Sequence, residues 1–176
     1  MKRELILHFA FMIAFLALTS FFQGWLSFKY WAVWVGGILG VVLPDIDNLV
    51  SSQILGSKES LLFNKGLTLR EKFKRSISLM YTPRQESTNL IFHSALFQVV
   101  FVIFAFLLVT SSGSLLGIGL VLAFMLHLTI DQVSDLIELG QIDRWFIDFP
   151  LELDAKNKVW YVIVNIVLVL VFGLLL

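Results

Sequence analysis

Apolar residues gather along the chain into five runs, at roughly 5–23, 30–44, 90–110, 114–131 and 159–176, with polar connections between them. Crossing the hydrocarbon core of a bilayer takes about 20 apolar residues, each rising about 1.5 Å in a helix. The pattern therefore predicts an all-α, polytopic membrane helix bundle of about five spans. It would form one integral domain over 1–176, with loops at 45–88 and 132–158. The second run is short and should lean on its neighbours or end within the headgroup region. Gly36 and Gly40 in that run are spaced G-x-x-x-G, which permits close helix contact, although merely tolerated glycines would look the same. Lys2 and Arg3 before the first run imitate a signal peptide. The apolar stretch continues through Phe21, Phe22 and Trp25 without a clean small-x-small site, so it reads as a retained span.

The long loop has a pattern of its own. Leu69, Phe73, Ile77 and Met80 share one helical face, while Arg70, Lys72, Lys74 and Arg75 occupy the others. This predicts a basic amphipathic helix that meets anionic lipid headgroups, a cytoplasmic one in the orientation derived below. A helix packed against the rest of the protein is the alternative.

Composition sharpens the picture. Hydrophobic residues make up 58% of the 176 and charged residues 15%, against about 25% charged in a soluble domain. A formal net charge of zero gives no reason to expect nucleic acid as a partner. With no cysteine, disulfides and thiolate metal sites are excluded, which leaves His, Asp, Glu and Asn as side-chain ligands. Lys and Arg concentrate before the first run (Lys2, Arg3), between the second and third (Lys58, Lys65, Arg70, Lys72, Lys74, Arg75, Arg84), and between the fourth and fifth (Arg144, Lys156, Lys158). The positive-inside rule then puts the N-terminus and both charged loops in the cytoplasm and the C-terminus outside. Trp25, Trp31 and Trp34 fall toward the outer interface.

With that topology, the polar residues of the apolar runs converge at one depth. His8 begins the first span, and Asp45 and Asp47 end the second. His93 and Ser94 begin the third, and His127 and Asp131 end the fourth. Each has an ordinary explanation alone: an interfacial histidine, an i, i+4 ion pair, a helix cap. Ionisable groups together at a membrane boundary are functional candidates. Pro44 tends to end the preceding helix. In an extended stretch Asp45 and Asp47 would face one point, whereas a continued helix would turn them about 200° apart. Two carboxylates sharing a point repel unless a cation or proton intervenes. A divalent metal is the economical explanation, Zn²⁺ or Mn²⁺ for mixed Asp/His ligands, or Mg²⁺ if the imidazoles stand one layer back.

Leu43-Pro-Asp-Ile-Asp47, the His93-Ser94 pair at a helix start and His127-x-x-x-Asp131 resemble the YdjM-like family of inner-membrane, metal-dependent hydrolases, some of them described as LexA-regulated. That family typically shows a His near the first span, L-P-D-I-D-H, H-R-G-x-T-H-S and a later H-x-x-x-D. The resemblance covers the first four spans and maps His8, Asp45, Asp47, His93, His127 and Asp131 onto the family's metal-site positions. Two departures matter: Asn48 stands for the His after the second Asp, and in the H-R-G motif Thr88 stands for the first His and Asn89 for the Arg.

The expected chemistry is metal-assisted hydrolysis. Asp45, Asp47, His93 and His127 are the first-choice ligands. Asp131 could ligate or orient His127, and His8 could ligate or act as general acid/base. Ser94 is better placed to hydrogen-bond than to attack. Asp135 and Glu138 continue the His127–Asp131 side, and a solvated helix end explains them as well. A polar site at headgroup level suggests a lipid or lipid-linked (phospho)ester as substrate. The alternative is a non-catalytic membrane protein with a structural metal site.

Overall fold

The computed structural model describes residues 2–47 and 90–174. Among these, five α-helices follow in order: α1 (Lys2–Phe22), α2 (Trp31–Val42), α3 (Ala95–Ser111), α4 (Leu115–Leu139) and α5 (Ala155–Leu174). Short 3₁₀ turns at Phe28–Tyr30 and Asp143–Phe146 join them, and no strand occurs among the described residues. The basic segment with Arg70, Lys72, Lys74 and Arg75 lies outside the described residues, as do Asn48, Thr88 and Asn89.

Helix boundaries follow local chemistry. Ser94 caps α3, its Oγ accepting from Phe97 N at 3.2 Å, and Ser114 caps α4 in the same way through Gly117 N at 3.2 Å. Each cap satisfies one of the backbone donors a helix start leaves unpaired, a contribution of about 1 kcal/mol. Gly140 stops α4 in the left-handed conformation at φ 71°, where a side chain would be strained.

Three helices, α1, α4 and α5, are long and apolar enough to cross a membrane; α3 and the Phe28–Val42 stretch are shorter apolar helices. The apolar window of α4 is 72% buried, against 33% in α1 and 28% in α5, so α4 is the central post. The outer helices carry exposed large apolar side chains, among them Phe11, Ile13, Val100, Ile103, Trp160 and Val164. Such a surface is a liability in water and a contact surface in hydrocarbon. Membrane association follows from it.

α2 makes the closest approach to α4. A Cβ on Gly36 would stand 2.0 Å from Leu116 O, one on Gly40 2.2 Å from Leu120 O, and one on Gly119 of α4 2.0 Å from Val33 O. The small residues interlock from both helices, which brings the backbones together where lipid offers no hydrophobic drive for association.

Two expectations need correction. The fourth apolar run was expected to give way to a loop at 132, but α4 continues to Leu139, because Gln132 and Asp135 are buried against partners from other elements. The stretch after Pro44 is not extended. Leu43 is helical (φ −57°, ψ −43°), and Ile46 N and Asp47 N bond back to Leu43 O and Pro44 O at 3.1 Å each. At about three residues per turn, Asp45 and Asp47 diverge by about 120°.

Candidate metal centre

All six predicted side chains nevertheless meet at one end of the bundle. Asp131, fully buried on α4, stands at the centre. Its Oδ1 lies 2.8 Å from His8 Nε2. Its Oδ2 lies 3.0 Å from His93 Nε2 and 3.3 Å from His127 Nε2. Thus α1, the turn before α3, and α4 itself each direct an imidazole at one carboxylate. Asp45 approaches from the end of α2, its Oδ1 3.5 Å from His127 Nε2. Asp47 approaches from behind: its Oδ2 accepts from Phe92 N at 2.5 Å and faces His93 Nδ1 at 3.6 Å. That carboxylate holds the turn carrying His93, and it lies outside the two triads that gather ligand atoms. Those triads are His8–His127–Asp131 and Asp45–His93–His127, each with three potential ligand atoms within 4.8 Å of one another.

The donor set fits a cation. Two ligands each about 2.1 Å from a tetrahedral zinc lie about 3.4 Å apart. The separations of 3.0, 3.3 and 3.5 Å among His93, His127, Asp131 and Asp45 fall around that edge. Both ring nitrogens of His127 are buried without a hydrogen-bond partner among the described residues, an arrangement that costs energy unless something else takes the lone pair. The His8 and His127 rings stack with centroids 4.1 Å apart and 25° between planes. Two imidazolium rings so placed would repel, which disfavours a fully protonated ion-pair network. Glu4 O, which can only accept, lies 2.9 Å from His8 Nδ1 and places a proton there. The Nε2 contact with Asp131 therefore needs a further proton or a cation. Of the six residues, Asp45 has the greatest exposure, with 15% of its side chain accessible. Burial raises its pKa above the ordinary carboxylate value, and the His127 ring opposes that rise.

Ser94 takes the capping role expected of it: besides accepting from Phe97 N, its hydroxyl donates to Ile91 O at 2.9 Å.

The structure adds two polar groups that the sequence reading did not place. Asp135, read as compatible with a solvated helix end, is buried. It accepts from Arg144 Nε at 2.8 Å and from Trp145 Nε1 at 2.7 Å. This ties the 143–146 turn to α4 and sets the Trp145 ring against His93, centroids 5.6 Å apart. Farther into the bundle, Gln98 Oε1 accepts from Gln132, from Tyr161 OH at 2.8 Å and from Asn165 Nδ2 at 3.3 Å, joining α3, α4 and α5. The available signal was Gln98 and Asn165, each an isolated amide in an apolar run.

No family model, curated protein or solved structure matches the chain.

Proposed function

We propose that the chain is a membrane-embedded, metal-dependent hydrolase acting on a lipid or lipid-linked (phospho)ester at the cytoplasmic interface. The observation that carries this reading is the gathering of His8, Asp45, His93, His127 and Asp131 into two triads that share His127, whose ring nitrogens are buried without a hydrogen bond among the described residues. The same residues carry the resemblance to the YdjM-like family, and membership of that family is part of the proposal. So are five spans, which rest on the apolar runs, a cytoplasmic N-terminus, which rests on the Lys/Arg asymmetry, and the inner membrane, which rests on the resemblance. Labelling of a cysteine at Ser112 only from the cytoplasmic side would overturn that orientation.

Asp45, His93, His127 and Asp131 would hold the cation. Zn²⁺ or Mn²⁺ suits them, with Mg²⁺ less suited to so many imidazoles. When bound, a divalent cation lowers the pKa of a water and polarises the scissile group. Asp47 stands behind His93, its Oδ2 3.6 Å from Nδ1, where a carboxylate can orient a ligating ring. His8 keeps one proton at Nδ1 through Glu4 O and can accept or return another at Nε2. His8, His93, His127 and Asp131 are buried, and Asp45 is the most accessible of the set.

A second reading has one observation in its favour: each of the three imidazoles lies within 3.5 Å of a carboxylate oxygen, so a partly protonated network can hold the cluster together as structure, without any metal. Elemental analysis of detergent-purified protein prepared without chelator separates the two, followed by assays on phospholipid phosphoesters and carboxylic esters. The hydrolase reading expects a stoichiometric divalent metal and turnover that chelation abolishes. Metal-free, fully folded protein would refute it. A metal-loaded protein that turns over none of these esters would leave the metal as structural.

A further inference from the structure

An apolar groove of about 540 Å³ runs between α1, α4 and α5. On α1 it extends from Leu7 to Leu18, about 16 Å at 1.5 Å per residue. Ile130 and Ile137 of α4 and Leu170 of α5 form other parts of its wall. These are the three helices long and apolar enough to cross a membrane, so the mouth of the groove opens onto hydrocarbon.

We propose that this groove is a binding site for one hydrocarbon chain of a membrane lipid. Its polar lining is confined to Thr129 and Ser134, and the Thr129 hydroxyl already donates to Met125 O at 2.9 Å. An occupant must therefore need almost no hydrogen bonds, which excludes an irregular peptide segment. Leu7, Phe11, Ala14 and Leu18 line it along α1, a continuous apolar path that a narrow flexible chain can follow. Left unfilled, the groove would forfeit dispersion contacts along its whole length. The groove passes the depth of the Asp/His cluster: Leu7 precedes His8, and on α4 the lining runs from Leu126 to Ile137, past His127 and Asp131. A chain seated here would lie alongside that cluster. The site stands whether or not the cluster hydrolyses anything.

The test uses the full chain in phospholipid vesicles with palmitic acid carrying a mid-chain diazirine. After photolysis, cross-links should concentrate on 7–18 and 126–137. Ala14→Trp, which fills the groove, should reduce them about tenfold, the effect of removing roughly 55 Å² of apolar contact at about 25 cal/mol per Å². Ala17→Trp, on the same helix but outside the groove lining, should leave them unchanged. Ala14→Leu serves if the tryptophan variant does not fold, and mapping on the unsubstituted chain needs no variant. Even labelling of all lipid-facing helices, equal effects of the two tryptophans, or protection of the groove by residues 48–89 or by a second copy would overturn the proposal.

Discussion

Gly40→Ala tests whether the packing of α2 on α4 builds the cluster. The added methyl would stand 2.2 Å from Leu120 O and 3.0 Å from Ala123 Cβ. An unstrained carbon–oxygen contact is about 3.3 Å or more, so α2 must withdraw by about 1.1 Å at that level. Asp45 follows Gly40 by just over one helical turn and would move with it. His127 Nε2 and Asp45 Oδ1, now 3.5 Å apart, would separate to about 4.6 Å. Two ligands about 2.1 Å from one cation can be at most about 4.2 Å apart, so Asp45 would be lost as a ligand. Overpacking should also cost about 1–3 kcal/mol of stability. Both effects can be read on one preparation, by metal content after dialysis and by the melting temperature with and without chelator. The variant should melt lower, retain metal about 10- to 100-fold more weakly, and respond less to chelator. Gly113→Ala is the control, since a Cβ there meets nothing within 4 Å. A Gly40→Ala protein that matches the Gly113→Ala control in both measurements would refute the reasoning.

Two further expectations follow from the geometry. Asp131→Asn removes the charge that three imidazoles share, and metal titration followed by thermal shift should show a larger loss than Asp47→Asn, whose carboxylate acts through His93; the reverse order would make Asp47 the direct ligand. Asp135→Asn strands Arg144 and should destabilise the chain toward the lower end of about 3–5 kcal/mol, because the guanidinium is partly exposed; urea denaturation in mild detergent measures this, and a loss under about 1 kcal/mol would show that the 143–146 turn does not depend on the pair.

Much of the fold was legible without coordinates because hydrocarbon is a strict solvent. Long apolar runs in a chain with 15% charged residues must satisfy their backbone internally, and helices do so segment by segment. The polar residues were legible for the same reason: His8, His93, His127 and Asp131 stand out where a polar group is costly. The i, i+4 spacing of His127 and Asp131 already put them on one face.

Tertiary structure decided what each residue meets. Asp131 became the centre because α1 and the turn before α3 both bring an imidazole to it, from 123 and 38 residues away in sequence. No local pattern encodes such distances. The same cause hid the true end of α4. Gln132 and Asp135 read locally as a helix emerging into water, but Gln98 and Trp145, supplied by α3 and the 143–146 turn, satisfy them in the interior. Pro44 biased the reading toward an extended strand, since it disfavours helix before it. That bias is weak beside the backbone hydrogen bonds from Ile46 and Asp47 that close the turn. The turn sends Asp45 to His127 and Asp47 to the back of His93, so two acids two residues apart in sequence occupy different places around the same cluster.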